Sequence, residues 1–338
     1  MKVVRSQWCV ASRSDFCFAL WLLLFALCST VGAQSQGKSP ARVGWLWYGA
    51  ATAGPLPSIE TAIIEGLRGL GYVDGKTILF EHRFADGHPE KLPELAAALA
   101  RQKVDVIIGL GGDIAAAAKK ATQTIPIVVG TSDDPVRASL ISSLARPGGN
   151  VTGVTFVMDE LAGKRIQLLK EINPKLSSSG VLWNPAHADN ELREIQIAAE
   201  KFNVKLKLFK VERMGEFDSA ISAMKNEKFD ALVVVPSRLT SLRRSPLAGF
   251  ALKSRIPMAS GWREFAEGGG LLSYGPDRAH IARRIAHYVD RVLKGAKPAD
   301  LPVETPSKFE LVINLKTAQE IGLTIPQSVL YRADKVIR

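Results

Sequence analysis

The stretch DVIIGLGGDIAAAA, residues 105–118, decides the fold class of this chain. A short apolar run enters a glycine-rich turn and leaves it as an alanine run, the order expected where a buried strand passes into a helix. In α/β proteins, ligands bind at such junctions, outside the carboxyl ends of parallel strands. The stretch therefore predicts an α/β protein and marks its turn as a candidate ligand contact.

The same alternation of strand and helix extends on both sides of this stretch. Between Arg42 and Phe156 it includes the strand IPIVVGT, a predicted helix from Pro135 to Ala145, and a strand in RPGGNVTGVTF. This spacing suits right-handed βαβ units, which give parallel sheets covered on both faces. The pattern begins again at Glu160. Two similar α/β lobes with a ligand cleft between them are therefore expected.

The N-terminus has the order of a secretory signal peptide. Basic residues precede the uncharged apolar run FCFALWLLLFALC, residues 16–28, and small residues follow it. That run is shorter than the roughly 20 apolar residues of a membrane-spanning helix. We predict a signal peptide over residues 1–33, cleaved after Ala33, with an uncleaved membrane anchor as the alternative.

All three cysteines, Cys9, Cys17 and Cys28, lie within that segment. The mature chain is then expected to have no disulfide, thiol nucleophile or thiolate metal site. A secreted protein of this kind is expected in the periplasm.

The positive charge of the chain does not indicate a nucleic acid partner. Net charge is +11 and the sequence pI is near 9.6, but the basic groups are scattered and have no interleaved aromatics for stacking on bases. We interpret them as solvated surface. The densest groups are Lys201, Lys205, Lys207 and Lys210, followed by Arg238, Arg243 and Arg244.

The opening turn offers the first candidate ligand contacts. Gly112 allows a ligand to approach the backbone closely, and the amides that open the next helix suit a carboxylate. Asp113 is a second candidate, with helix capping as the alternative. The dinucleotide fingerprint is incomplete, because its sixth position is Ile114, and the chain has no Walker A pattern. No cofactor is expected.

The next strand ends in the turn GTSDDPV, residues 130–136. Helix capping accounts for one of its polar groups, but two adjacent carboxylates exceed what one cap needs. We predict that Ser132 or Asp133 contacts the ligand, where a carboxylate can hold an ammonium group.

The second half of the chain has corresponding strand ends. Asn184 and Ser237 place short polar groups there, and Trp262 and Tyr274 lie in a turn-rich region beside three glycines. Aromatic residues supply apolar contact with a polar handle, and Arg263 is a candidate for binding a carboxylate. The alternative is that these aromatics belong to the core and the arginine to the surface.

Catalytic motifs are missing from the sequence. It contains no G-x-S-x-G elbow, and its five histidines form no H-E-x-x-H or similar zinc motif. We therefore expect no enzyme activity, no catalytic residues and no metal.

Seven stretches between about Ala41 and Ile337 form an ordered set of motifs. They are GLRGLGYVDGKTILFEHRFADG (66–87), TIPIVVGTSDDPV (124–136), SLARPGGNVTGV (143–154), LAGKRIQLLKEINP (161–174), VLWNP (181–185), GGLLSYGPD (269–277) and YVDRVLKGAKPADLPVETPSKFELVINLKTAQEIGLTIP (288–326). Taken together and in this order, they resemble the bacterial family of ABC transporter substrate-binding proteins that contains tryptophan- and tyrosine-type binders.

The resemblance implies a type I periplasmic-binding-protein fold, in which two Rossmann-like lobes with parallel sheets are joined by a three-strand hinge. Lobe 1 is expected to comprise residues 41–155 plus 276–303, and lobe 2 residues 156–275 plus 304–338. It also implies that the loop from Tyr48 through Gly49 to Ala51 contacts the ligand.

The function that follows is extracytoplasmic binding of a small solute, an amino acid or similar zwitterion, for an ABC importer. The implied partners are a membrane permease and a cytoplasmic ATPase, and the binding protein is expected to be a monomer. Two alternatives stay open at this point: a ligand-sensing protein of the same fold that signals to a membrane receptor, and an exported enzyme.

Overall fold

Two β-sheets organise the chain in a computed structural model that describes residues 39–49, 58–156, 159–186 and 190–338. The predicted signal peptide, its cleavage site and the three cysteines lie outside these residues. Over the described ranges, no helix combines the length and the apolar character needed to cross a membrane.

The first sheet has five parallel strands in the order β2-β1-β3-β4-β5. Its elements alternate along the chain as the sequence predicts. The strands are β1 Ala41–Trp47, β2 Ile78–Phe84, β3 Val106–Leu110, β4 Ile127–Thr131 and β5 Val151–Thr155, and the helices are α1 Ser58–Gly69, α2 Leu92–Arg101 and α3 Gly112–Ala121.

The second sheet has seven strands in the order β12-β11-β10-β9-β8-β6-β7, and all its neighbours are parallel except β10 and β11. The elements are α4 Asp159–Ile172, β6 Ser178–Trp183, α5 Glu191–Lys201, β7 Lys205–Lys210, α6 Phe217–Lys225, β8 Ala231–Val234, α7 Arg238–Leu242, α8 Arg244–Lys253, β9 Met258–Ser260, α9 Arg263–Glu267, β10 Leu272–Pro276, α10 Arg278–Leu293, β11 Phe309–Asn314, α11 Leu315–Glu320, α12 Gln327–Tyr331 and β12 Lys335–Ile337. The predicted fold class, two α/β lobes with mostly parallel sheets, is confirmed.

The central strands of each sheet are buried on both faces, which explains why they are continuous apolar runs, whereas the edge strands β2 and β7 include charged residues. In β3, Val106 and Ile108 join the core cluster on one face and Ile107 joins the cluster on the other. In β8, Val233 faces one cluster and Val234 the other. Because successive side chains of a strand point to opposite faces, each of these two strands contributes to two cores.

The core of the first lobe is completed by residues that come late in the chain. Helix α10 follows β10 of the second sheet, yet its side chains Ile281 and Ile285 pack with Ile63 of α1 and Val43 of β1. Leu301 belongs to the same cluster. The chain therefore passes between the lobes three times: from β5 to α4, from β10 to α10, and from residues 301–304 to β11.

Two of these passages contain glycines that leave no room for a side chain. Gly153 in β5 has a φ of +137°, and a Cβ atom there would lie 2.1 Å from the carbonyl oxygen of Val129. A Cβ atom on Gly275 in β10 would lie 1.8 Å from the carbonyl oxygen of Gly261. At both positions the backbones approach too closely for any other residue.

The predicted helix from Pro135 to Ala145 is wrong, because the structure has a series of turns there. Asp134 Oδ1 accepts hydrogen bonds from the backbone N–H groups of Val136 and Arg137, as in a helix cap. Ser139 then adopts a φ of +54°, outside the range of a right-handed helix. The first turn closes with a hydrogen bond from Ala138 N–H to the carbonyl oxygen of Asp134, and the side chains of Leu140 and Ile141, which follow Ser139, are buried in the core.

Candidate ligand-binding site

A cavity of about 1160 Å³ lies where the carboxyl ends of both sheets' parallel strands face each other. Its walls include Tyr48 after β1, Gly112 after β3, Asn184 after β6 and Trp262 after β9. Ligand sites in proteins usually measure about 300–1,000 Å³, so this cavity has room for a small metabolite and water.

The glycines of the opening turn are packed against charged side chains of the protein itself. A Cβ atom on Gly112 would lie 1.7 Å from Oδ2 of Asp133, and one on Gly111, whose φ is +120°, would lie 2.0 Å from an Nη of Arg238. In the structure the group that lies close to the Gly112 backbone is the side chain of Asp133. The approach of a ligand to Gly112 stays a prediction.

Arg238, the first residue of α7, joins the second lobe to the first. Its guanidinium donates two hydrogen bonds to the carboxylate of Asp113, at 2.7 and 2.9 Å, and one to the carbonyl oxygen of Leu110 at 3.0 Å. It also lies over the ring of Tyr48, 4.3 Å from the ring centroid. We call this set of contacts the Arg238 clasp; all its partners belong to the first lobe.

The protonation state of Asp113 favours the clasp. Burial alone raises the pKa of this carboxyl, but the hydrogen bonds and charge of Arg238 outweigh burial, so the pKa is lowered from its usual value. The clasp therefore persists above the ordinary pKa of Asp and is lost only as the pH falls through the lowered one.

We expect Arg238→Gln to open the ligand-free protein, since glutamine cannot replace the bidentate pair. Partly exposed ion pairs contribute up to about 1 kcal/mol, so the closed-to-open ratio should fall about fivefold. Small-angle X-ray scattering would show a larger radius of gyration, and added salt should move the wild-type protein in the same direction. Arg193→Gln, an equal charge change at an exposed position of α5, is the control. Equal radii for both variants would contradict this prediction.

Part of the cavity wall is aromatic. Trp262 and Phe156 both line the cavity, with their ring centroids 6.4 Å apart. The guanidinium of Arg278 lies over the Trp262 ring at 4.3 Å and pairs with Glu264 at 3.4 Å. These residues offer flat apolar surfaces beside a fixed positive charge.

Eight of the ten predicted site residues line the cavity: Tyr48, Gly112, Asp113, Ser132, Asp133, Asn184, Ser237 and Trp262. Some of their polar groups form hydrogen bonds within the protein. The Asn184 side chain accepts a hydrogen bond from the backbone of Ala186 at 2.9 Å, and the buried Ser237 hydroxyl caps α7 by accepting one from Thr240 N–H at 3.2 Å.

Gly49 and Tyr274 are not among the residues that line the cavity. Gly49 is exposed, and its carbonyl accepts a hydrogen bond from Asp86 N–H. Tyr274 lies in β10, paired with β11, and its ring packs against the core of the second lobe. Its glycine-rich surroundings in the sequence suggest a loop, whereas the structure continues the sheet through them.

Arg263, the candidate for binding a ligand carboxylate, forms ion pairs within the protein. It pairs with Glu267 at 2.8 Å and with Glu310 at 3.4 Å, beside a separate cavity of about 170 Å³. The acidic neighbours already neutralise its guanidinium.

The sequence did not single out several residues of the cavity wall. They are Glu60, Phe156, Arg238 and Arg278. The sequence alone indicates a solvated basic group around Arg238, and this is wrong for Arg238, which pairs with Asp113. Glu60 resembles an ordinary acidic residue in the first turn of a helix. No local sequence pattern predicts that these residues line the cavity, because only the packing of distant elements brings them there.

Several carboxylates line the cavity, and carboxylates can bind metal ions. In the described part of the chain, no group of three or more His, Cys, Asp or Glu side chains is arranged to hold a metal ion.

The sequence was compared with protein families and with curated proteins, and both comparisons gave a match. The family model for ABC transporter substrate binding proteins matches residues 55–337. A curated tyrosine-binding protein of Clostridioides difficile is 27% identical over 272 residues, which cover 79% of this chain and 78% of that protein.

Solved structures with a similar fold and sequence include two bacterial proteins. A Streptococcus pneumoniae ABC domain in complex with L-Trp has a TM-score of 0.80 and 30% identity, covering 88% of this chain and all of that one. A conserved domain protein of Vibrio cholerae has a TM-score of 0.79 and 29% identity, covering 88% of this chain and 99% of its own.

Proposed function

The chain belongs to the family of ABC transporter substrate-binding proteins, and on that premise we propose that it delivers an amino acid or a similar small zwitterion to an ABC importer. The observation that carries the proposal is the cavity itself, whose walls come from the strand ends of both lobes. A molecule bound there contacts both lobes at once.

An aromatic amino acid suits this cavity best. Trp262 and Phe156 supply ring surfaces to the cavity wall, and Ser132, Asp133 and the backbone of Gly112 supply polar groups. The relatives named above include a tyrosine-binding protein and a structure in complex with L-Trp. Tyr48, Asp113, Asn184 and Ser237 complete the proposed binding residues.

Binding and transport are coupled through a hinge in this proposal. Lobe 1 comprises residues 41–155 plus 276–303 and lobe 2 residues 156–275 plus 304–338, and the lobes close when a ligand bridges them. The ligand shifts this equilibrium only by its higher affinity for the closed form. The closed lobes then present to the membrane permease the surface that it recognises, and the cytoplasmic ATPase drives release and import.

The place of action follows from the N-terminus. A signal peptide over residues 1–33 directs export, and the mature protein works in the periplasm as a monomer. The binding protein itself carries out no chemical step.

Calorimetric titration of residues 34–338 with each of the twenty L-amino acids tests the proposal. We expect saturable binding that is strongest for an aromatic amino acid, with a Kd in the micromolar range or tighter, about −8 kcal/mol. Indole, which has no charged group, is the control for apolar binding alone. If none of the twenty gives saturable heat, or if indole binds as tightly as tryptophan, the proposed ligand class is wrong.

A further inference from the structure

We propose that Glu60 holds the ammonium group of the ligand. This assignment rests on the proposed function and goes beyond it by naming the residue that selects a positively charged group. Glu60 lies in the first turn of α1 and lines the cavity. Within the described part of the chain, its Oε2 atom is buried and has no hydrogen-bond partner.

The other carboxylates of the cavity wall are already paired or packed within the protein. Asp133 rests against the backbone of Gly112. The remaining carboxylates have side-chain partners: Asp113 pairs with Arg238, Glu90 with His88, Glu212 with Lys210, Glu264 with Arg278, and Glu267 with both Arg263 and Lys335. A ligand cation would have to break one of these pairs, whereas at Glu60 it meets an oxygen without a partner.

The charges that face Glu60 do not neutralise it. They are Arg278 of α10, Glu264 of α9 and Arg238 of α7. Both arginines form ion pairs with other carboxylates, Arg278 with Glu264 and Arg238 with Asp113. The carboxylate of Glu60 is therefore only partly compensated at the cavity wall, since burial outweighs these charges and its pKa is raised. A buried charge of this kind is unfavourable until a cation pairs with it.

The side chain can turn toward a ligand at little energetic expense. Rotation about the terminal bond of a glutamate is broad, so either carboxylate oxygen can be presented to the cavity. Trp262, whose ring is in cation–π contact with Arg278, lines the same cavity. An aromatic amino acid can therefore place its ring against Trp262 while its ammonium group reaches Glu60.

Binding should depend on pH as a consequence. Burial raises the pKa of Glu60, an effect only partly offset by a backbone hydrogen bond and by the charge of Arg278. A bound ammonium stabilises the charged carboxylate, so the pKa falls when the ligand binds. Protonation of the free protein thus competes with the ligand, and affinity should decrease as the pH falls through the raised pKa of free Glu60.

Glu60→Gln tests the assignment with probes that carry one charged group or both. The probes are L-tryptophan, tryptamine, which keeps the ammonium, and indole-3-propionate, which keeps the carboxylate. For the variant we expect the affinity for tryptophan and tryptamine to fall about tenfold to a hundredfold, and the affinity for indole-3-propionate to stay within about twofold. The decrease of affinity in acid should disappear. Glu65→Gln, on an exposed face of the same helix, is the matched control and should bind as the wild type does.

Thermal unfolding without ligand separates binding from structure. Removal of a buried charge that is only partly compensated should leave the melting temperature of Glu60→Gln unchanged or raised, whereas loss of a structural contact would lower it. Unchanged tryptophan affinity, or equal weakening of all three probes with a lower melting temperature, would overturn the assignment and leave the proposed function intact. The same comparison applies to any other amino acid that the wild-type protein binds. A wild-type protein that binds none of the twenty would overturn both proposals.

Discussion

Replacing Arg165 by methionine should destabilise the protein by about 3–5 kcal/mol, because one partner of a buried ion pair is removed. The Arg165 side chain is 1% exposed and that of Glu191 is 10% exposed. Arg165 donates a hydrogen bond to Glu191 from one Nη and another to the carbonyl oxygen of Tyr274 from Nε, at 3.1 Å. Methionine leaves the Glu191 carboxylate buried without the cation that neutralises it. Urea unfolding followed by tryptophan fluorescence measures the loss.

The double variant Arg165→Met with Glu191→Met distinguishes the ion pair from packing. When both charges are replaced by apolar groups, most of the lost stability should return, since the desolvation penalty is removed along with the attraction. Arg193→Met, at an exposed position of α5, should change stability by less than about 0.5 kcal/mol. A single variant that loses less than about 1 kcal/mol would show that this pair is not sealed from water as the structure indicates.

Gly275→Ala should have an effect of similar size through steric overlap. The new Cβ atom would lie 1.8 Å from the carbonyl oxygen of Gly261, and that oxygen belongs to the backbone, so no side chain can rotate away. Gly275 is also paired opposite Glu310 of β11, which limits the movement of its own strand. Overpacking of this kind typically loses about 1–3 kcal/mol, and backbone strain adds a comparable amount. Urea unfolding should therefore show a loss of about 3 kcal/mol or more.

Gly249→Ala is the matched control for this substitution. Gly249 lies in α8, and a Cβ atom there would meet no atom within 4 Å. Alanine favours a helix over glycine by about 0.5–1 kcal/mol, so this variant should be slightly more stable than the wild type. If both variants had the same stability, the close approach of Gly275 to Gly261 would not be a constraint on the fold.

The architecture of the chain follows from local signals that the sequence displays. Apolar runs such as Val106–Leu110 and Ile127–Thr131, each followed by a turn and a helical pattern, predict parallel strands buried on both faces. The incorrect helix at residues 135–145 shows the limit of such signals. Its start resembles a cap followed by proline, but the positive φ of Ser139 and the burial of Leu140 are set by packing against the rest of the lobe.

The cavity is predictable only in part, for a related reason. Parallel strands place their carboxyl ends at one edge of a sheet, so residues such as Ser132 and Asn184 can be found from strand ends alone. Arg238 meets Asp113 across 125 residues of sequence, and only the facing of the two lobes brings them together. Tyr274 illustrates the reverse case, since its glycine-rich neighbours resemble a loop while the side chain serves the core.

The late arrival of α10 in the first core has a consequence for biosynthesis. During translation the ribosome releases the five strands of the first sheet long before Ile281 and Ile285, which cover one of its faces. Until those residues emerge, Val43 and Ile63 lack part of their packing, so the first lobe cannot reach its final stability before residues 281–285 are synthesised. By that stage most residues of the second lobe's core have already been synthesised. A nascent chain stalled before Arg278 should thus stay sensitive to proteases throughout its first 150 residues and acquire resistance only when synthesis is nearly finished.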